Sequence, residues 1–485
     1  MKRFNLLWIV TLVTCAAMGQ SLTLPTMFKG PSYESTCDVR ELMNIPAAEA
    51  KARKVRLKAE EQTEEEVVRF IDRITNMPSY YHDFYSRLKT DIHNVLDGET
   101  TALSDPQKCE VISGEVCAYK VYTYSGSTDF TFESWESIAQ DAYNAVKDIM
   151  KDQWDEYTSF IPYVCLSVNM DLPEAFWLDS RFSFMNSSSY HIAEYDLEKK
   201  TGKVFYENNM LFCVKAPNHD LRRTEFQTVE DIESGIERYQ AAVDSILKYF
   251  PEDSCRYDQV CYLNDWLTLH NCYNILSQDK LPTLAWSPLS ALEGTVGDNS
   301  PVCEGYARAL KVLCDQKRIP CVLVTGQAQP GRYESGEAHM WNYVKMEDDT
   351  WYAVDPTWND PRTTKQEAVS GKETHRWLLL GSETLIDDNF TFIQSHPENP
   401  QGGFQPNGPI GWELVPGPAI GEQAYDEDAN EFKPEPGPEP EPELIKIKDI
   451  TDLITKYLLQ TVPSNNENGE NNEEQEENGE GNGEE

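Results

Sequence analysis

Apolar positions recur at two periods along the chain, and each change of period marks an element. SWESIAQDAYNAVKDIMKDQW (134–154) carries Ile138, Ala142, Val146 and Met150 at helical spacing between charged residues. It predicts an amphipathic helix with Ser134 as N-cap. VVRFIDRITNM (67–77) shows the same spacing inside a charged stretch, about 40–100, that reads as helical. Residues 104–125 alternate as a strand pair does, with Gly114 in the turn. AFWLDSRFSFM (175–185) and KVFYENNMLFCVKA (203–216) read as two more strands around the turn-like EKKTGK, and a helix over about 228–250 stops at Pro251. QVCYLNDWLTLHNCYN (259–274) and Cys303–Gln316 read as helices; CVLVTGQA (321–328), HMWNYVKME (339–347) and TWYAVDPTW (350–358) read as strands. The order predicts an α+β region over 20–250 and a second, different unit over 255–400. Residues 401–443 form a Gly/Pro/Glu-rich linker that ends in the polyproline-type spacer KPEPGPEPEPE. Residues 444–485 hold a short amphipathic helix, LIKIKDITDLITKYLLQ (444–460), and an acidic tail with too little apolar surface to fold.

Charge and cysteine content narrow the setting. MKRFNLLWIVTLVTCAAMG has a basic start, an apolar run and small residues at Ala17 and Gly19, so 1–19 reads as a signal peptide and the protein as secreted, extracellular, with Gln20 its mature start. Thr14 before Cys15 fits a lipoprotein anchor poorly. No other stretch is apolar for the roughly 18 residues a membrane helix needs, so no transmembrane segment is expected. A net charge of -40 argues against nucleic acid, which requires clustered Lys and Arg. Much of that charge lies in the acidic tail, which solubilises the chain, while the C-terminal helix leaves room for an extracellular partner. Of the twelve cysteines Cys15 leaves with the signal peptide, and the odd remainder in an oxidising compartment predicts five disulfides and one free thiol. Cys109 with Cys117 and Cys165 with Cys213 are candidate pairs. Asn186-Ser-Ser and Asn389-Phe-Thr are glycosylation acceptors.

The chemistry concentrates in SPVCEGYARALKVLC (300–314). Pro301 suits a helix start, and Ala307, Leu310, Leu313 and Cys314 then follow at helical spacing. Cys303 therefore sits in the first turn, where free backbone N–H groups and the positive dipole end favour a thiolate and can hold an oxyanion. Cys314 faces the interior or a disulfide partner. A nucleophilic thiol needs a base and a group to orient that base. EAHMWNYV offers His339 and WYAVDPTW offers Asp355, on strands that form a hairpin around Glu347-Asp348-Asp349. A three-residue loop sets Trp341 opposite Asp355 and brings His339 diagonally beside it; a two-residue loop sets Asp355 opposite Asn342, on the wrong face.

PVCEGYARALKVLCDQKRIPC and EAHMWNYVKMEDDTWYAVDPTWNDP resemble the transglutaminase-like superfamily of the papain-type fold, most of all its secreted bacterial-type members with V-C-x-G-Y-A, H-x-W-N and V-D-P-T-W segments in this order. The resemblance is strong over about 255–400 and weaker upstream, at PEAFWLDSRFSF; RWLLLGSETLIDDNFTFIQSHP resembles the end of such a domain. It implies an α+β papain/transglutaminase-like core with a cysteine at a helix N-terminus packed on an antiparallel sheet. It also implies a catalytic triad of Cys303, His339 and Asp355. Trp341, Tyr306, Trp286 and Trp358 are cleft candidates, with Trp341 a shield for the His339–Asp355 bond. His270, His375 and His396 lack such a context and read as ordinary helix or loop residues. No Cys-x-x-Cys, histidine cluster or Gly-rich loop calls for a metal or other cofactor. The expected activity is a thiol hydrolase or acyltransferase acting on protein or peptide amides through a thioester, as protease, amidase or transglutaminase. The alternative is a catalytically silent binding or adhesion protein on the same fold.

Overall fold

The structure is a computed structural model that describes residues 27–38, 79–295, 297–329, 331–333, 336–360, 375–398 and 418–427. All lie in a single unit of the chain, 1–432. The signal peptide, the 67–77 helix, most of the linker, the 444–460 helix and the acidic tail fall outside the described residues.

Three strands of sixteen residues dominate the N-terminal half: β4 (Val116–Thr131), β5 (Arg181–Asp196) and β6 (Thr201–Ala216). With the shorter β1 (Phe28–Lys29), β2 (Glu34–Asp38), β3 (Val111–Ser113) and β7 (His219–Asp220), they form an antiparallel sheet in the order β1-β5-β6-β4-β3, where β2 also pairs with β5 and β7 with β6. Gly114 takes a left-handed φ of 62° in the β3–β4 turn, a conformation that favours glycine. Helix α1 is Ser79–Leu96 and helix α2 is Ile138–Asp171. The predicted stripe Ile138, Ala142, Val146 and Met150 is fully buried against Phe130, Tyr190 and Val204 of the sheet. Ser137 rather than Ser134 takes the N-cap position, and the two serines exchange hydrogen bonds in the turn before it. The helix runs well past 154 because Val164, Cys165, Leu166, Val168 and Met170 are buried around its circumference, and a helix buried on all sides shows no amphipathic stripe to follow. Phe176 and Trp177 lie in a turn, not a strand, and serve as core anchors, while Leu178 makes an isolated antiparallel bridge to Arg222. Helix α3 (Val229–Leu247) opens with a capping box between Thr228 and Asp231.

The second half sets helices α4 (Arg256–His270) and α5 (Cys303–Gln316) against a three-stranded antiparallel sheet, β10-β9-β8, made of β8 (Cys321–Ala328), β9 (Glu337–Lys345) and β10 (Trp351–Val354). Helix α5 is buried from Glu304 to Cys314, so its charges must pair within the protein. Glu304 meets Arg308 at 2.9 Å and Asp315 meets Lys311 at 2.9 Å. Arg308 also reaches Asn169 of α2, which ties the thiol-bearing helix to the N-terminal half. A short helix, α6 (Pro356–Asn359), follows β10; a two-stranded ribbon, β11 (Leu385–Asp387) with β12 (Phe390–Thr391), leads into α7 (Phe392–Ser395). No described helix is long and apolar enough to cross a membrane.

The cysteines correct the expected disulfide framework. Cys109 and Cys117 are bonded, whereas among the described residues Cys213, Cys255, Cys261, Cys303, Cys314 and Cys321 form no disulfide. Cys165 and Cys213 cannot meet because strand parity separates them. Met210, Phe212 and Val214 share a core with Cys165, while Cys213 points the other way with Leu211 and Ala118. Cys314 and Cys321 are buried, and the neighbouring Cys321, with burial, pushes the Cys314 thiol well up. Asn186 is also unavailable for glycosylation: it is buried and bonded to Tyr33, Pro31 and Asn208. Asn389 is exposed.

Candidate active site

Cys303 is the first residue of α5, after Val302 as N-cap. Its loop is pinned from two sides. The Val302 N–H donates to Ala285 O at 3.1 Å, and the Asn274 N–H to Pro301 O at 3.0 Å. Asn274 Nδ2 adds bonds of 2.8 Å to Asp298 O and 2.9 Å to Ser300 O. Gly305 makes this close approach possible. A Cβ there would lie 2.7 Å from Ala285 O and 2.9 Å from Pro301 Cβ. Gly305→Ala is therefore expected to cost about 1–3 kcal/mol by overpacking and to displace the thiol. Thermal denaturation together with alkylation of Cys303 checks this; an unchanged melting temperature would refute it.

The β9–β10 hairpin has the register that the three-residue loop predicts. Lys345 faces Trp351 and Asn342 faces Val354, so the next pair sets Trp341 beside Asp355. Asp349 turns the loop at a φ of 65°. Asn342 donates 2.9 Å to the Ala307 carbonyl, fixing the strand of His339 to the helix of Cys303. His339 Nε2 donates 2.8 Å to Asp355 Oδ2, and the Cys303 side chain lies near enough to the ring to raise its proton affinity. Asp355 Oδ1 caps α6, accepting from Thr357 N at 3.0 Å and Trp358 N at 3.1 Å. What reads as strand through Trp358 is thus a strand that ends at Val354 and a capped turn of helix.

Burial alone would keep the His339 ring neutral. The Asp355 carboxylate, its hydrogen bond and Cys303 outweigh burial and raise His339 to about 10. Burial likewise opposes ionisation of Asp355, but His339 and His396 hold its carboxyl well below the usual range. His339 accordingly carries a proton at neutral pH. A folded-state value above the ordinary 6.5 means this pair stabilises the fold fully below about pH 6.5 and ceases to do so as pH rises through about 10. Melting temperatures from pH 6.5 to 10 should fall more steeply for the wild type than for His339→Gln; parallel slopes would contradict the ion pair.

The aromatic candidates separate by position. Trp341 is fully buried and stacks on His339 with centroids 6.1 Å apart, and Trp358 lies 5.0 Å from the same ring. Trp286 is partly exposed at the end of the turn whose Ala285 receives the Val302 N–H. Tyr306 is not a cleft residue: it is wholly buried, and its hydroxyl donates 2.6 Å to Asp360. His270 stacks on Trp266 and His375 pairs with Asp265, both away from Cys303.

Two residues at this site escape the sequence reading. Tyr273 follows α4 and lies beside Cys303; burial first, then Cys303, raises its proton affinity and keeps it a neutral donor. His396, read as an ordinary loop residue, is instead wholly buried with Nε2 3.2 Å from Asp355 Oδ2. His339, Asp355 and His396 bring ligand-type atoms within 4.8 Å of one another. Both imidazoles already direct a hydrogen at the same carboxylate oxygen, so the trio is a proton-bonded network that a metal ion would have to break up.

A helix bearing a thiol at its start, packed against an antiparallel sheet, is consistent with a transglutaminase-like core. Residues 248–356 match the family model of the Transglutaminase-like superfamily, and the chain carries a transglutaminase-like domain. The match includes Cys303, His339 and Asp355 and ends before Trp358 and His396. No curated protein matches the chain.

Proposed function

We propose that the protein is a secreted thiol enzyme that transfers the acyl group of a protein or peptide amide through Cys303. The observation that carries this reading is the buried His339–Asp355 pair, with the Cys303 side chain near enough to raise the ring's affinity for a proton. Cys303 Sγ attacks the carbonyl carbon, and its proton resides on His339. Asp355 holds the ring orientation, and His339 then gives the proton to the departing amine. A thioester remains. Water as acceptor makes the protein a protease or amidase; a lysine amine makes it a crosslinking transglutaminase. The Tyr273 hydroxyl, beside Cys303, is the donor this reading assigns to the developing oxyanion.

The test is mass-spectrometric mapping of iodoacetamide labelling on the non-reduced full chain, followed by turnover of glutamine and peptide donors. Among the partly exposed thiols, Cys303 should label first; Cys261 is held back because burial pushes it up to about 12. Cys303→Ser should abolish turnover. A Cys303 that labels no faster than an unfolded cysteine would return the chain to the binding-protein alternative. Tyr273→Phe should lower kcat/KM by about 10²–10³, the usual loss for one oxyanion donor, with labelling of Cys303 unchanged. Retention of full activity would remove Tyr273 from the oxyanion site.

A further inference from the structure

The Asp355 carboxylate is wholly buried and receives four donors, two backbone N–H groups on Oδ1 and two imidazoles on Oδ2. One imidazole belongs to the reaction. The second, His396, comes from beyond the matched domain segment, and its surroundings are built to hold it. Gln329 N donates 2.9 Å to Ser395 O, and Gln327 N reaches Pro397 O, so β8 straps the segment around His396 in place. The ring is enclosed by aromatic side chains: Phe392 stacks on it at 4.5 Å, and Trp358, Trp341 and Trp377 approach at 4.6, 5.0 and 5.2 Å. Burial, together with the charge on His339, depresses His396 to about 4, so it is neutral where the enzyme works. Its Nδ1 lies 3.1 Å from Ser395 Oγ, whose own hydrogen goes to Gln329 O at 2.7 Å, so the tautomer that donates from Nε2 is set by the Asp355 carboxylate it faces.

We infer that His396 is a positioning residue: its Nε2–H fixes the Asp355 carboxylate and lowers its basicity, so that the shared proton stays on His339 for the leaving amine. The inference rests on the thiol-enzyme reading above. A carboxylate that loses a hydrogen-bond donor binds its own proton more readily, and Asp355 would then support the imidazolium less. The other titratable groups facing this pair are His339 on β9, Cys303 on α5 and Tyr273 after α4.

The test compares the full-length wild type with Asp355→Asn, His396→Phe, His396→Leu and His396→Gln. The readouts are the pH profile of Cys303 alkylation and the split of kcat from KM on a peptide amide. His396→Phe fills the aromatic box without a donor. It should slow neutral-pH alkylation and kcat by about 10–100-fold, the usual cost of losing an outer partner. It should also move the acid limb of reactivity to higher pH and leave KM unchanged. His396→Gln, whose side-chain amide reaches the same carboxylate, should restore most of the rate and the limb. If His396→Phe fails to fold, His396→Leu serves as the variant without a donor. A wild-type limb in His396→Phe, or in His396→Leu where the phenylalanine variant is unfolded, overturns the inference, as does a glutamine variant impaired like the variant without a donor. A wild-type Cys303 with no enhanced reactivity overturns the enzyme reading and this inference together. Normal wild-type reactivity with an indifferent His396 overturns this one alone.

Discussion

Asp355→Ala is expected to lose kcat/KM by about four orders of magnitude and to unfold at a much lower temperature. The first loss follows from the role of the carboxylate in holding the imidazole, for which about 10⁴ is the usual size in a nucleophile–His–Asp triad. The second follows from burial. Removing the carboxylate leaves the His339 cation with no counter-charge in the core and strips the acceptor from two backbone N–H groups and His396. Breaking a buried pair from one side costs about 3–5 kcal/mol. Asp355→Asn separates the two effects. It keeps the volume and the cap of α6, so stability should largely return. Activity should not, because the amide NH₂ points a donor at the Nε2–H of His339 and forces the wrong tautomer. Calorimetry beside steady-state kinetics distinguishes them; an asparagine variant with more than a tenth of wild-type activity would show that Asp355 does not orient the base.

The parts of this site that were legible in the sequence are those set by local geometry. Pro301 and the spacing of Ala307, Leu310 and Leu313 place Cys303 at a helix start because both signals lie within one turn of it. The facing of His339 and Asp355 depends only on a loop length, which the hairpin supplies. Tyr273 and His396 carry no such signal. Tyr273 comes to lie beside Cys303 because Asn274 clamps the loop before α5, and His396 reaches Asp355 because β8 binds the backbone on both sides of it. Neither contact has a sequence period. The cysteine arithmetic misled for a related reason: counting thiols ignores which face of a strand each occupies, and Cys213 faces away from Cys165. The far half of α2 was invisible because a helix enclosed on all sides lacks the polar stripe that reveals helices elsewhere.

Arg308→Ala tests how far the N-terminal half supports the thiol. Arg308 is 5% exposed and Glu304 4%, so the pair lies in the core one residue after Cys303. Arg308 spans the two halves of the unit, with Nε on Glu304 at 2.9 Å and a second guanidinium nitrogen on Asn169 of α2. Alanine would leave the Glu304 carboxylate buried without a cation and Asn169 without its donor, at a cost of about 3–5 kcal/mol. The first turn of α5 is where that charge would seek water, so alkylation of Cys303 should change along with stability. Glu304→Gln alone should cost less, because the amide stays a hydrogen-bond partner while the guanidinium keeps Asn169. Glu304→Met with Arg308→Met removes both charges and should recover most of the lost stability, since apolar replacement of a buried ion pair is often neutral or better. Denaturant melts of the three variants give the comparison. A cost below about 1 kcal/mol for Arg308→Ala would mean that water reaches Glu304, and that the helix start is held by the Asn274 and Ala285 bonds without help from α2.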